Sequence, residues 1–374
     1  MSDVLVIGSG IIGSALAYRL ALAGAYVTVV NANDRVATTS TSFAWTNSNQ
    51  KEPFAYFALN VAGMGEHLAL ETELGDAPFW HRIGNVEWAV GAEERETLLK
   101  KIARLQSWAY PAEEIDRTAL RALDPALAAP ESADAIAFYP SEGYVDAVPL
   151  AETLLERAKG MGATVRTGAT VASLGTIKGR MRNVTLANGE TLSARQVVCA
   201  VGRWSGALLS TVGFDLPMAP TRSCLATTGP VEVRLRTMVF STAINIRPAG
   251  SGKLLLQNTT TDLKGAAESQ TIPPERFEDA LLAPARRVVR GLGNVQIEDA
   301  KLGIRSIPGD GLPVVGPVPG CEALYVVCSH SGVTLAPFFA RAVARELIAG
   351  KAEERLAPFR PDRFSTLREL SPER

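Results

Sequence analysis

The stretch MSDVLVIGSGIIGSALAYRLALAGAYVTVVN, Met1 to Asn31, decides the fold. Val4, Leu5, Val6 and Ile7 form a short apolar run of β-branched residues and Leu, the composition of a strand buried on both faces of a parallel sheet. Gly8, Gly10 and Gly13 follow at G-x-G-x-x-G spacing. A helical stretch from Ile12 to Ala23 comes next, with the small residues Ser14, Ala15 and Ala17 on the side that must approach the sheet. Gly24 stops it, and Tyr26 to Val30 return as a second strand. Strand, glycine turn, helix and strand within about 30 residues is the context in which this spacing means a dinucleotide site. Gly8 allows the tight turn, Gly10 the close approach of backbone to a pyrophosphate, and Gly13 the packing of helix on strand. The helix N-terminus, with Ile12 as its first residue and Ile11 just before it, offers N–H groups and partial positive charge to the phosphates.

One position departs from the pattern. Such a site usually ends its second strand with Asp or Glu, which accepts hydrogen bonds from the ribose hydroxyls. Here that place holds Asn31, followed by Ala32. Asp34 is a substitute acid within reach, whereas Arg35 would accommodate a 2′-phosphate and favour NADP. The opening stretch alone leaves the identity of the dinucleotide open.

The rest of the composition narrows the class. A chain of 374 residues has room for two domains, and its apolar fraction of 47% and charged fraction of 21% are those of a globular protein. The net charge of −1 gives no electrostatic footprint for nucleic acid or an anionic membrane. Cys199, Cys224, Cys321 and Cys328 form no C-x-x-C pair and have no His at zinc spacing, so reduced thiols, no metal site and a cytoplasmic location are expected. No stretch reaches about 18 uninterrupted apolar residues, so no membrane span is predicted. The apolar N-terminus lacks the basic segment of a signal peptide.

Along the chain, helix and strand patterns interleave. Ala37 to Gln50 is a Ser/Thr-rich loop in which Thr39, Ser40 and Ser42 offer hydroxyls to a bound cofactor. Helices are predicted over Pro53–Leu74, Glu93–Trp108, Pro149–Met161, Pro274–Arg290 and Gly332–Ile348, and Asn188-Gly189 reads as a type I′ hairpin turn. Val197 to Val201 and Leu324 to Cys328 are further buried strands. Segments near both termini and in the middle make one α/β domain; two insertions with antiparallel strand patterns make a second, mixed α+β domain. The active site is expected at their seam.

Five stretches in order then resemble the flavin-dependent amine and amino-acid oxidoreductases, the family of D-amino acid oxidase and dehydrogenase, glycine oxidase and sarcosine oxidase. They are Val4 to Asn31; the Ser/Thr loop to Trp45; Gly143-Tyr144-Val145-Asp146; Cys199 to Ser205 (CAVGRWS); and Gly303 to Pro337. The last contains LGIRSIPGDGLPVVG, similar to the family's G-x-R-P-x-x-x-D-G-x-P-x-x-G, and SHSGVTLAP, similar to its GHxxxGxxxAP. The resemblance implies a Rossmann-like FAD-binding domain over 1–48, 146–215 and 301–374, and an interleaved antiparallel-sheet substrate domain over 49–145 and 216–300. It implies FAD at Gly8, Gly10 and Gly13, with Asn31 and Ala32 at the adenosine ribose. Thr39, Ser40, Ser42, Ala44 and Trp45 would run beside the phosphates and the flavin ring. Val171 would meet the adenine, and Ala200, Gly202 and Trp204 would pack on the dinucleotide. Ser331, Gly332, Val333 and Thr334 would give backbone donors near the flavin pyrimidine.

Arg305 is the residue that the same resemblance assigns to substrate, as a carboxylate clamp, because a guanidinium holds a carboxylate through two parallel hydrogen bonds. The competing reading is a structural ion pair. Some relatives carry at this place a Cys bonded to the flavin, so Arg305 implies non-covalent FAD; the motif's Pro is Ser306 here. His330 is a candidate catalytic residue beside the flavin, and Trp45 and Tyr144 are candidate walls of the substrate cleft. The activity implied is oxidation of the C–N bond of a small amino acid or secondary amine by hydride transfer to flavin N5, with oxygen or an unidentified partner as electron acceptor. Alternatives are oxidation of a 2-hydroxy acid, which needs a base such as His330, and a flavoprotein that needs a partner chain.

Overall fold

The structure is a computed structural model, and it describes residues 2–32, 37–75, 79–219, 221–258 and 277–365. Its centre is strand β1 (Ser2–Ile7), followed by helix α1 (Ile11–Leu22) and strand β2 (Val27–Val30). A six-stranded sheet forms around them in the order Val314–Pro317, Leu324–Cys328, Ala194–Cys199, β1, β2, Thr164–Arg166. All neighbours in it are parallel except the Val314–Pro317 edge. The alternation of side chains along β1 explains its apolar run. Val4 and Val6 join the core formed with Leu16, Leu20, Phe338 and Phe339. Leu5 and Ile7 join the opposite core with Leu174, Val184 and Leu209. Helix α1 packs between the helices Ala147–Gly160 and Gly332–Ala349.

Two glycines of the turn are required by geometry. Gly8 has φ +101°, and a Cβ there would lie 2.5 Å from the Ala200 carbonyl oxygen. A Cβ on Gly13 would lie 2.0 Å from the Gly8 carbonyl oxygen, so any side chain would push α1 off its strand.

The second sheet has eight strands, in the order Ile297–Ile304, Arg222–Thr228, Leu254–Asn258, Asn245–Pro248, Met238–Phe240, Asn85–Val90, Ala133–Tyr139, Glu113–Glu114. It is antiparallel except where Met238–Phe240 runs parallel to Asn85–Val90, a strand pairing that joins its two chain segments. A third core, around Val86, Ile136, Val239, Ile246, Leu256 and Leu281, covers it. A small sheet of Trp45–Thr46, Gly143–Val145 and Trp80–His81 lies beside the glycine turn's loop.

Several details differ from the sequence reading. Only Gly189 of Asn188-Gly189 has positive φ, so the turn is not type I′; Asn188 Oδ1 instead accepts the Glu190 N–H at 3.0 Å. The helix read from Pro274 starts in a segment outside the described residues; from Glu278 it makes a π-type turn to Leu282 and then an α-helix, Ala283–Val288. All four cysteines are free and buried. Among the described residues no helix is long and apolar enough to cross a membrane, and no cluster of side chains has the makings of a metal site.

Candidate active site

A cavity of about 600 Å³ runs along the carboxyl ends of the parallel strands, where a doubly wound sheet opens beside its central strand. At one end it is lined by Asn31, Ala32 and Val171. Gly8, Gly10, Ile11, Ile12 and Thr39 line its middle, with Ala200, Gly202 and Trp204 opposite. Ser42, Ala44, Trp45, Arg305 and His330 line the other end, beside Ser331, Gly332 and Val333. Nineteen of the residues named from sequence therefore meet in one cavity.

Four others sit elsewhere. Gly13 lies beneath the turn, against the Gly8 carbonyl. Ser40 lines a smaller neighbouring cavity of about 220 Å³. Thr334 is buried, and its hydroxyl donates to the Trp45 carbonyl at 3.2 Å, tying the last helix to the cavity wall. Tyr144 does not line the cavity: its ring is buried, stacked on His81 at 4.5 Å with the Arg247 guanidinium 4.4 Å from its centroid. Tyr144 pairs with Trp45 across the small sheet, but its ring is taken up by His81 and Arg247, while Trp45 stacks on Phe240 at the cavity. Asp34 and Arg35 lie outside the described residues.

Two helix N-termini meet over the cavity. The Ile11 N–H donates to Thr39 Oγ1 at 3.0 Å, leaving the next donors of α1 to face inward. The last helix begins at Gly332, close enough that a Cβ there would lie 3.2 Å from Ile12 Cδ1. Ser331 precedes it, held by the Tyr56 hydroxyl at 2.7 Å. His67, 2% exposed, donates from Nε2 to the Val333 carbonyl at 2.8 Å. Burial pushes the His67 imidazole down to about 4, so it is neutral at pH 7.

The loop between the ends is fixed from outside. Ala44 adopts φ +58°, a costly conformation for a residue with a side chain. It is held by Ser42 Oγ on its N–H at 3.0 Å, by the Val145 N–H on its carbonyl at 3.0 Å, and by Arg247 Nε on the preceding Phe43 carbonyl at 2.7 Å. The next stretch hangs on Glu142, which is fully buried. Its carboxylate accepts from Trp45 Nε1, the Ser48 and Asn49 N–H groups, Asn49 Nδ2 and the Tyr110 hydroxyl, at 3.0–3.2 Å. Burial raises this carboxyl to about 7, opposed by those hydrogen bonds.

The electrostatics of the far end were not visible in sequence. Lys51 lines the cavity and is 8% exposed. Burial pushes its ammonium down to about 8, and the Glu142 charge works in the opposite sense. His330 lines the cavity and is exposed to it. Desolvation within the cavity, then the positive charges of Lys51 and Arg305, push its imidazole down to about 3. Gln257, Ser223 and Phe240 complete this end. Gln257 donates to Ser223 Oγ at 2.6 Å, and Phe240 stacks on Trp45 at 4.5 Å. Only cross-strand pairing brings them here, so no local sequence signal marked them.

The arrangement fits a flavin dinucleotide. Backbone comes close at the glycine turn, two helix N-termini point at the place for negative charge, and no acidic side chain lines the cavity among the described residues. Comparisons with known proteins agree. A glycine oxidase from Pseudomonas putida is 33% identical over 162 residues, 43% of each chain. One from Geobacillus kaustophilus is 26% identical over 368 residues, 96% of each chain. A component chain of the opine oxidase from Agrobacterium tumefaciens is 24% identical over 377 residues, 97% of each chain. The crystal structure of the Geobacillus kaustophilus glycine oxidase shares the fold, with a TM-score of 0.86 over 96% of this chain and 98% of that one, at 24% identity. The profile of the family described as DAO, FAD dependent oxidoreductase, matches residues 3–346. The chain belongs to this DAO family of FAD-dependent oxidoreductases.

Proposed function

We propose that the protein oxidises the C–N bond of a small amino acid or secondary amine. The observation that carries this reading is Arg305 lining the end of the cavity away from Asn31 and Val171, beside His330. FAD, held between the glycine turn and Ser331, Gly332 and Val333, would supply two-electron oxidation of the carbon bearing nitrogen, leaving an imine that water hydrolyses.

The chain's own residues bind and orient. Arg305 holds the substrate carboxylate and so fixes which hydrogen points inward. The N-termini of α1 and of Gly332–Ala349 favour negative charge on the cofactor. Trp45 and Phe240, stacked on each other, keep water from one wall. His330 is neutral and, with its imidazole down at about 3, a weak base. That supports amine oxidation over oxidation of a 2-hydroxy acid, which needs a base to take the alcohol proton. FAD is held without a covalent bond to sulfur: no cysteine lines the cavity among the described residues, and burial pushes the Cys199 thiol up to about 11 and that of Cys328 to about 12. In this reading 1–48, 146–215 and 301–374 hold the cofactor, and 49–145 with 216–300 hold the substrate. A second reading of electron flow, transfer to a partner chain rather than to oxygen, is favoured by the full-length likeness to one component of an opine oxidase.

Arg305→Ala tests the proposal. It should leave the flavin spectrum intact and weaken amino-acid binding by about 2–5 kcal/mol, the scale for deleting one partner of a buried charge pair. Arg305→Lys should restore part of that, because an ammonium lacks the planar fork. Reduction of the Arg305→Ala flavin at parental amino-acid concentrations would overturn the assignment.

A further inference from the structure

We propose that the substrate carries a second carboxylate, and that Lys51 receives it while Arg305 holds the first. The inference rests on the reading of Arg305 above and narrows it to dicarboxylic amino or imino acids.

Lys51 is more than nine-tenths buried, yet among the described residues its ammonium makes no hydrogen bond and no ion pair within 4 Å. Its nitrogen lies over the Tyr56 ring, 5.6 Å from the centroid. A buried ammonium without a counter-ion is costly. Glu142 is the anion whose charge reaches it, but that carboxylate is already engaged by five donors from Trp45, Ser48, Asn49 and Tyr110. Glu142 thus lowers the cost of the ammonium without closing on it.

The other cation of the cavity is Arg305, and both charges act on the one imidazole of His330. The two lie at the same end. The cofactor does not need either of them for its phosphates, since the helix N-termini at Ile11 and Gly332 serve that charge. Among the described residues no acidic side chain lines the cavity, and a ligand carboxylate would supply the counter-charge for Lys51. In the reading above one carboxylate of the substrate lies on Arg305; a second answers Lys51. The polar neutral groups at this end, Asn47, Gln50 and Gln257, suit such a ligand without competing for either charge.

The test uses the purified holoprotein. Anaerobic flavin reduction is measured with glutamate, aspartate and iminodiacetate against alanine, glycine, sarcosine and proline, both enantiomers where they exist. Binding of succinate and of acetate is read separately from the perturbation of the flavin spectrum. The expected result is a preference for dicarboxylates of roughly 10- to 100-fold, the scale of one buried charge-assisted hydrogen bond. Lys51→Met should abolish that preference and the succinate binding, lowering reduction by dicarboxylates roughly 10-fold or more beyond any loss with monocarboxylates; Lys51→Arg should restore part of both. Parent protein that shows no dicarboxylate preference in either reduction or binding overturns the proposal. So does Lys51→Met that loses both substrate classes equally, since Lys51 then serves the first carboxylate or the flavin. Reduction by monocarboxylates alone leaves the function of Arg305 standing and removes only the second site; failure of every amine removes both.

Discussion

The two ends of the cavity are built in different ways. At the dinucleotide end, β1, the glycine turn, α1 and β2 are contiguous, and the contacts that matter join residues a few positions apart, such as Gly13 against Gly8. At the substrate end, Lys51, Gln257, Arg305 and His330 come from separate segments. The wall that carries Lys51 is fixed by Glu142, 93–97 residues along the chain. Local construction leaves its mark in spacing and composition; assembly across the chain does not.

The largest expected effect falls on the local end. Gly13→Ala places a methyl on the Gly8 carbonyl. It should cost about 3 kcal/mol or more in urea unfolding and release FAD, because only backbone movement relieves the clash. A variant that keeps both its midpoint and its flavin would show that the turn tolerates what its geometry forbids.

The junction of the two ends is testable by pH. His67 bridges from the helix Phe54–Leu74 to the Val333 carbonyl, and its folded value of about 4 lies below its ordinary 6.5. A depressed histidine contributes stability that is complete above pH 6.5 and is lost as pH falls toward 4, worth about 3 kcal/mol over that window. Glu142 acts with opposite sign, its raised carboxyl favouring the fold as pH falls from 7 to 4.5. Comparing the parent with His67→Gln, which keeps a donor for Val333, isolates the histidine. The variant's urea midpoint should fall less than the parent's between pH 7 and 4.5. Equal slopes would mean that His67 is protonated in the folded state.

At the non-local end, Glu142→Gln should cost about 2 kcal/mol, since an amide turns a donor toward groups that themselves donate. FAD content should hold while substrate affinity drops, separating the wall from the cofactor. Loss of flavin with substrate affinity unchanged would erase the distinction between the ends. The smallest effect is at Asn31. Asn31→Asp should be tolerated and tighten FAD by about 1.5 kcal/mol through a charge-assisted bond to the ribose. Weaker binding would place a phosphate rather than hydroxyls against that side chain.

The same contrast explains what was legible. The apolar run of β1, the three glycines and the small face of α1 each follow from a local requirement, and each stands where the spacing put it. Arg305 and His330 reached the cavity because their motifs sit at the end of a strand and the start of a helix, positions that topology brings to the sheet opening. Tyr144 did not, because its ring packs on His81 and Arg247, partners that lie far apart in sequence and leave no local spacing to read. Nothing in the sequence singles out Lys51 or Glu142. Glu142 takes its meaning from five hydrogen bonds that only the folded chain brings together, and Lys51 from the wall those bonds fix. The parallel pairing of Met238–Phe240 with Asn85–Val90 was hidden for the same reason: alternation marks a strand, not its partner.

The most direct measurement is anaerobic titration of the yellow holoprotein with three matched compounds: an amino acid that it oxidises, the amine lacking its carboxylate, and the 2-hydroxy acid lacking its nitrogen. The amino acid should bleach the flavin, the amine should do so only at far higher concentration, and the hydroxy acid should not bleach it. Bleaching by the hydroxy acid, or by amine and amino acid at equal concentrations, would contradict an amine oxidoreductase anchored through Arg305.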